Sequence, residues 1–128
     1  MTRQLELVLL DGLYTLVRLP SGAPNPSWVR GQFAAVIFSK GGISVVCETS
    51  AVPAHVEAHH GYRCLQVAGE FDLASVGVVA AITQPLASAG ISLFAYSTWD
   101  TDYVLIQETD LQSAISALTE AGHTLRQR

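Results

Sequence analysis

Charge is scarce in this sequence of 128 residues: 14% are Asp, Glu, Lys or Arg, against 49% hydrophobic residues. Seven basic residues are scattered along the chain, and eleven acidic ones bring the formal charge to −4. A nucleic-acid partner needs a clustered basic face to displace counterions from phosphates, so that class is disfavoured. Cysteine is equally sparse. Cys47 and Cys64 lie in apolar, strand-like surroundings without Cys-x-x-Cys spacing, and are expected to be reduced core thiols rather than a disulfide. No Gly-x-Ser-x-Gly elbow, P-loop or Gly-x-Gly-x-x-Gly motif occurs, and Lys40-Gly41-Gly42 suits a hairpin turn better than a phosphate cradle. Ser92 or Ser97 with His123 would supply a nucleophile and a base, but nothing in the sequence orients the imidazole, so no enzyme activity is expected. The N-terminus, Met-Thr-Arg-Gln followed by a short apolar run broken by Glu6, does not read as a signal peptide, which points to the cytoplasm.

Residues 73–99 carry no charge and are long enough to cross a bilayer. Gln84, Pro85, Gly90 and several serines interrupt that run, and its period changes at Gly90. A buried helix followed by a buried strand is therefore expected, without membrane insertion. The surplus of apolar residues over charged ones calls for cover by another subunit, and a homodimer is the simplest form of it.

In the first half, residues 5–10 and 13–19 read as strands joined into a hairpin around Asp11-Gly12. Pro20-Ser-Gly-Ala-Pro-Asn-Pro26 forbids regular structure and leaves room only for a helical turn near Ser27 to Arg30. A second hairpin is predicted from residues 33–39 and 43–48. From Thr49 to Gly61 the composition turns polar, with Pro53, His55, His59 and His60, which suggests a linker or short helix and a lobe boundary at its end.

The second half alternates more cleanly. Residues 62–68 form a predicted strand. A helix follows from near Asp72, with Val78 or Val79, Ile82, Leu86 and Ala89 on one stripe, Pro85 tightening its last turn and Gly90 ending it. Residues 91–96 and 103–106 are strands joined by a polar turn. Thr109-Asp-Leu-Gln112 has the form of a capping box for a helix bearing Leu111, Ile115 and Leu118, stopped by Gly122, and residues 123–126 give a last strand. The order is β-α-β-β-α-β, the split ferredoxin-like arrangement.

Two segments, Asp72-Leu-Ala-Ser-Val-Gly-Val-Val-Ala-Ala-Ile and Pro85 to Leu105 with its Ser-Thr-x-x-Thr-Asp turn, resemble the ACT domain family. Within it they are similar to tandem-ACT proteins related to aspartokinase regulatory lobes and eukaryotic cytosolic arginine sensors. The likeness is good over residues 62–122. It is looser in the first half, carried by Tyr14-Thr-Leu-Val-Arg-Leu-Pro, Pro26-Ser-Trp28 and Ile43-Ser-Val-Val-Cys. It implies an α+β fold of two ferredoxin-like (βαββαβ) ACT-type lobes in tandem: residues 1–61 as a degenerate lobe with shortened helices, and residues 62–128 as an ACT domain.

The chemistry centres on the polar turn. A helix beginning near Asp72 to Ser75 would present unpaired N–H groups to a carboxylate. Asp100 or Asp102 can accept an ammonium or guanidinium, with Ser97 and Thr98 adding hydrogen bonds. The resemblance implies an amino-acid site between ACT domains and carries Ser75, Val76, Thr98, Trp99 and Asp102 into it. The alternative reading makes Asp72 and Asp100 cap or turn residues and Ser97 and Thr98 backbone-bonding turn formers. Trp99 would stack on a ligand cation or pack at a contact. Asp100 and Asp102 are too few for a hard cation, and His55, His59 and His60 lack the order and company of a zinc site, so neither a metal nor a cofactor is expected. The resulting expectation is a non-enzymatic module binding an amino acid or similar zwitterion, with a regulated protein partner as a further possibility. The alternative is a ligand-free ACT-like oligomerisation module.

Overall fold

The computed structural model describes residues 3–69 and 75–127. The elements in order are β1 (Glu6–Leu9), β2 (Tyr14–Leu19), β3 (Ala35–Ser39), β4 (Gly42–Glu48), β5 (Glu57–Val67), α1 (Val78–Ser88), β6 (Leu93–Ser97), β7 (Asp102–Gln107), α2 (Leu111–Glu120) and β8 (Thr124–Gln127). Single 3-10 turns at Thr49–Ala51 and Glu108–Asp110 precede β5 and α2. The fold is mixed α+β, and its contacts divide it into two compact units: residues 12–62, and residues 1–11 together with 63–128.

In the unit of residues 12–62, β4 pairs antiparallel with both β3 and β2, and β2 pairs with the first part of β5. The predicted hairpin across Lys40-Gly41 is present, with Ser39 opposite Gly42. Gly42 is required there: its φ is 136°, and an added Cβ would lie 2.6 Å from the Leu19 carbonyl oxygen. The core joins Val17, Ile43, Val45 and Cys47 to half-buried Trp28, Val29, Val52 and Val56. The last four come from irregular segments. The expected helical turn around Ser27 to Arg30 is no more than a single turn at Ser27–Trp28, because the prolines on either side of Asn25 disfavour helical backbone before them. The polar stretch ending at Gly61 is likewise neither linker nor helix. Beyond the turn at residues 49–51 it becomes β5, placing His59 and His60 in a strand, with Thr15 Oγ1 2.8 Å from both His60 Nδ1 and Thr49 Oγ1.

In the other unit, the chain order β5-α1-β6-β7-α2-β8 reproduces the β-α-β-β-α-β pattern. The opening hairpin does not exist. β1 pairs antiparallel with residues 65–67 of β5 and parallel with β8, while β2 pairs with residues 57–62 of β5 and with β4. Asp11-Gly12 therefore bends the chain without reversing it, and β1 and β2 pair with successive stretches of β5 instead of with each other. α1 and α2 press Ile82, Leu86, Ala114 and Leu118 onto Leu7, Leu65, Val67, Val104 and Ile106, all buried. Leu111 packs at the margin of this core. The expected capping box is not formed: Thr109 lies inside the 3-10 turn, and Asp110 at the N-cap makes no side-chain cap bond.

One buried polar residue explains how α1 tolerates Pro85. Proline cannot donate the bond that would satisfy the Ala81 carbonyl one turn earlier. His123, only 2% exposed, fills the gap with Nε2 at 2.8 Å from Ala81 O, and its Nδ1 accepts the Leu5 N–H at 3.0 Å. Because Leu5 N can only donate, the ring is the neutral Nε2–H tautomer. His123 thus fastens β1, α1 and the exit of α2 together. Past Pro85 the helix tightens as expected, with Ala89 N bonded to both Pro85 O and Leu86 O and Gly90 N to Ala87 O.

Candidate functional site

β6 and β7 form a hairpin with Ser97 opposite Asp102, leaving Thr98–Thr101 as its loop. Thr98 organises that loop. Its backbone N–H donates to Thr101 O at 2.9 Å, and its hydroxyl donates to Thr101 O at 3.2 Å and accepts from the amides of Asp100 and Thr101 at 3.4 and 3.3 Å. Ser97 Oγ donates to Asp102 Oδ1 across the mouth of the hairpin. Buried Thr101 donates its hydroxyl to Val67 O at 2.8 Å, tying the loop to the end of β5. Thr98 is therefore the backbone-bonding turn former of the alternative reading, whereas Ser97 bonds to the Asp102 side chain and not to the backbone.

Facing the loop is the start of α1. Gly77 is the N-cap with φ 84°, no side chain caps the helix, and the first turn contains no acidic residue. The first intrahelical bond runs from Ala81 N to Gly77 O, which leaves the amides of Val78, Val79 and Ala80 ahead of the helix without helical partners. Together these walls enclose a cavity of about 350 Å³, lined by Ser75, the Gly77–Ala80 turn and residues 97–102. Asp102 and Ser75 are half-buried, while Trp99 stands 78% exposed at the rim. Partial positive charge from the helix amides on one side and carboxylate and hydroxyl oxygens on the other form an arrangement suited to a dipolar ligand.

Of the residues singled out from sequence, Ser75, Ser97, Thr98, Trp99, Asp100 and Asp102 meet at this cavity. Val76 does not line it: its side chain is 84% exposed and its carbonyl accepts a bond from Arg3 Nη1 at 3.1 Å. Asp72 lies outside the described residues. The helix starts at Val78, not near Asp72 to Ser75, because left-handed Gly77 interrupts the helical path. Reasoning from sequence missed two contributors, the amides of residues 78–80 and the anchoring hydroxyl of Thr101. The glycine preceding the Val-Val-Ala-Ala run was the available sign of the first. The second depends on Val67, remote in sequence.

Other candidate groups do not converge. Among the described residues no three His, Cys, Asp or Glu side chains stand close enough to hold a metal ion. Cys47 and Cys64 are free and buried, as expected. Burial pushes the Cys64 thiol up to about 12 from an ordinary 9.0. Burial also raises Cys47, opposed by a hydrogen bond from the Arg30 backbone and by the Arg30 charge. Both thiols are held in their unreactive, protonated form. Among the described residues, no helix is long and apolar enough to cross a membrane.

The model of the ACT domain family matches residues 57–120. A protein of Agrobacterium tumefaciens, solved in a structural-genomics programme, has 30% identity and a TM-score of 0.93, with 99% of this chain and 96% of that one covered. A Vibrio cholerae protein of unknown function, described as a possible transport protein, has 22% identity and a TM-score of 0.74, covering 92% and 90%. The ligand-free regulatory subunit of aspartate kinase from Thermus thermophilus shares the fold at 13% identity, with a TM-score of 0.64 and coverage of 88% and 94%. No functionally curated protein matches the sequence. The chain belongs to the ACT domain family.

Proposed function

We propose that this protein is a non-enzymatic regulatory module that binds an amino acid or similar small zwitterion in the cavity between the α1 start and the 97–102 loop. The observation that carries this reading is the pairing of uncapped helix amides with Asp102, Asp100 and the hydroxyls across one cavity of about 350 Å³. The ligand carboxylate would sit on the amides of residues 78–80, its ammonium on Asp102 or Asp100, and Trp99 over its side chain. In the same reading the chain is a cytoplasmic homodimer. Its copies bring their ACT domains, residues 62–128, together so that the exposed rim of the cavity is closed by the partner, and ligand binding shifts the equilibrium of a regulated protein. Residues 1–61 are read as the degenerate lobe of a tandem ferredoxin-like pair. The regulatory subunits among its structural neighbours support this role. The test is thermal unfolding of the chain in the presence of each common amino acid. A true ligand at a hundred times its Kd stabilises by about 2.7 kcal/mol and raises the melting temperature by several degrees. A flat response across the set would count against the proposal.

A second reading, an ACT-like oligomerisation module without a ligand, is favoured by the internal bonding of Ser97, Thr98 and Asp102, which already occupies part of the site's polar capacity. It predicts dimerisation that Asp102→Ala leaves unchanged and that no amino acid influences.

A further inference from the structure

A second cavity of about 400 Å³ lies away from the 97–102 loop, lined by Leu9 of β1, Leu125 of β8, and Leu111 and Ile115 of α2, together with Arg63 of β5, Arg126 of β8 and two glutamines. Arg63 is unusual for a residue whose side chain is only 16% exposed. Its Nη2 donates to Leu10 O at a long 3.4 Å, and its Nη1 is 3.9 Å from Glu108 Oε2, beyond hydrogen-bond distance. Nε is buried and, among the described residues, has no partner. A guanidinium desolvated to this degree normally finds a strong acceptor, since an unpaired buried donor is costly. The side chain has only these two long contacts, and its Nε has no acceptor among the described residues.

We propose that this cavity is a ligand site, separate from the one at the 97–102 loop, which takes a small aliphatic monocarboxylate. The carboxylate supplies the acceptor that the Arg63 fork lacks, and the hydrocarbon tail covers Leu9, Leu111, Ile115 and Leu125. Three features select this class over phosphate: Arg126, the other lining arginine, is already engaged by Glu6 at 2.8 Å, Glu108 stands close enough to repel a multiply charged anion, and Leu9, Leu111, Ile115 and Leu125 give part of the lining an aliphatic surface. Half-exposed Glu108 is free to turn to solvent as the carboxylate replaces it at Arg63.

The experiment is an NMR titration of the full isotope-labelled chain with sodium 4-methylpentanoate, beside 4-methylpentan-1-ol and inorganic phosphate. The expected result is a saturable shift of the Arg63 Nε–H signal and of the Leu111 and Ile115 methyls with the carboxylate, at least about tenfold weaker with the alcohol. Arg63→Gln should weaken binding by about tenfold or more, and Ile115→Trp, which fills the cavity and keeps the arginine, should block it. Should Arg63→Gln fail to fold, Ile115→Trp decides alone. Absence of saturable shifts, shifts that survive Ile115→Trp, or an equal response to phosphate would each overturn the proposal. Asp102→Ala, which removes an anchor of the proposed amino-acid site, should leave this titration unchanged, so the two sites stand or fall separately.

Discussion

The two compact units each place a sheet against apolar cover, but the covers differ in kind. In residues 1–11 with 63–128, two helices of regular spacing press buried Ile82, Leu86, Ala114 and Leu118 onto the strands. In residues 12–62 the cover is half-buried Trp28, Val29, Val52 and Val56, projected from proline-interrupted or irregular segments. A helix also brings an end with free amides, and the candidate site occurs where such an end meets a hairpin loop. Among the described residues, the unit of residues 12–62 has no α-helix and hence no equivalent pole. Without an α-helix among its described residues, that unit has neither the regular buried stripe nor a helix end with unpartnered amides.

Alkaline unfolding should sharpen the contrast most strongly. The Cys64 thiol, raised in the folded state, favours the protonated native form; its contribution is complete below about 9 and is lost as pH climbs toward about 12. A gap of that size corresponds to a stability loss on the order of 4 kcal/mol. Cys64→Ala should flatten the profile between pH 9 and 12 in denaturant titrations, whereas Cys47→Ala, whose rise is opposed by Arg30, should flatten it less. Next in size, Leu86→Ala should cost about 3 kcal/mol by urea unfolding, against about 1 to 2 kcal/mol for half-buried Trp28→Ala. Equal costs would erase the distinction between the two covers.

His123→Ala should cost about 2 kcal/mol, because it orphans both the Ala81 carbonyl and the Leu5 amide. Hydrogen exchange should speed first at Leu5 and in α1, leaving β3 and β4 unaffected. The smallest effect expected is for Thr98→Val, about 1 kcal/mol, from loss of the hydroxyl that holds the amides of residues 100 and 101. Backbone relaxation should then show motion confined to residues 98–101.

What the sequence revealed and what it concealed follow from the range of the interactions. The β6–β7 hairpin was legible because β-branched and aromatic residues flank a run of turn-forming hydroxyls and carboxylates, all within a dozen positions. The α1 stripe and its Gly90 stop were equally local. The pairing of β1 was not: Asp11-Gly12 is a good turn dipeptide, but whether a bend becomes a hairpin depends on which strands compete for each edge, and β5 and β8 take both edges of β1. His59 and His60 looked like linker residues because polar composition hides a strand exposed on one face. Pro85 signalled a missing donor, whereas its remedy, His123, lies 42 residues from the Ala81 carbonyl it satisfies. The Arg63 cavity gave no local sign, since β1, β5, β8 and α2 all contribute to it.

The most direct test is an amide-resolved NMR titration with whichever amino acid raises the melting temperature most. Saturable shifts concentrated at Val78, Val79, Ala80, Asp102 and the Trp99 indole, and abolished by Asp102→Ala, are the predicted result. A binding isotherm whose perturbations bypass both the α1 start and the 97–102 loop would contradict the account.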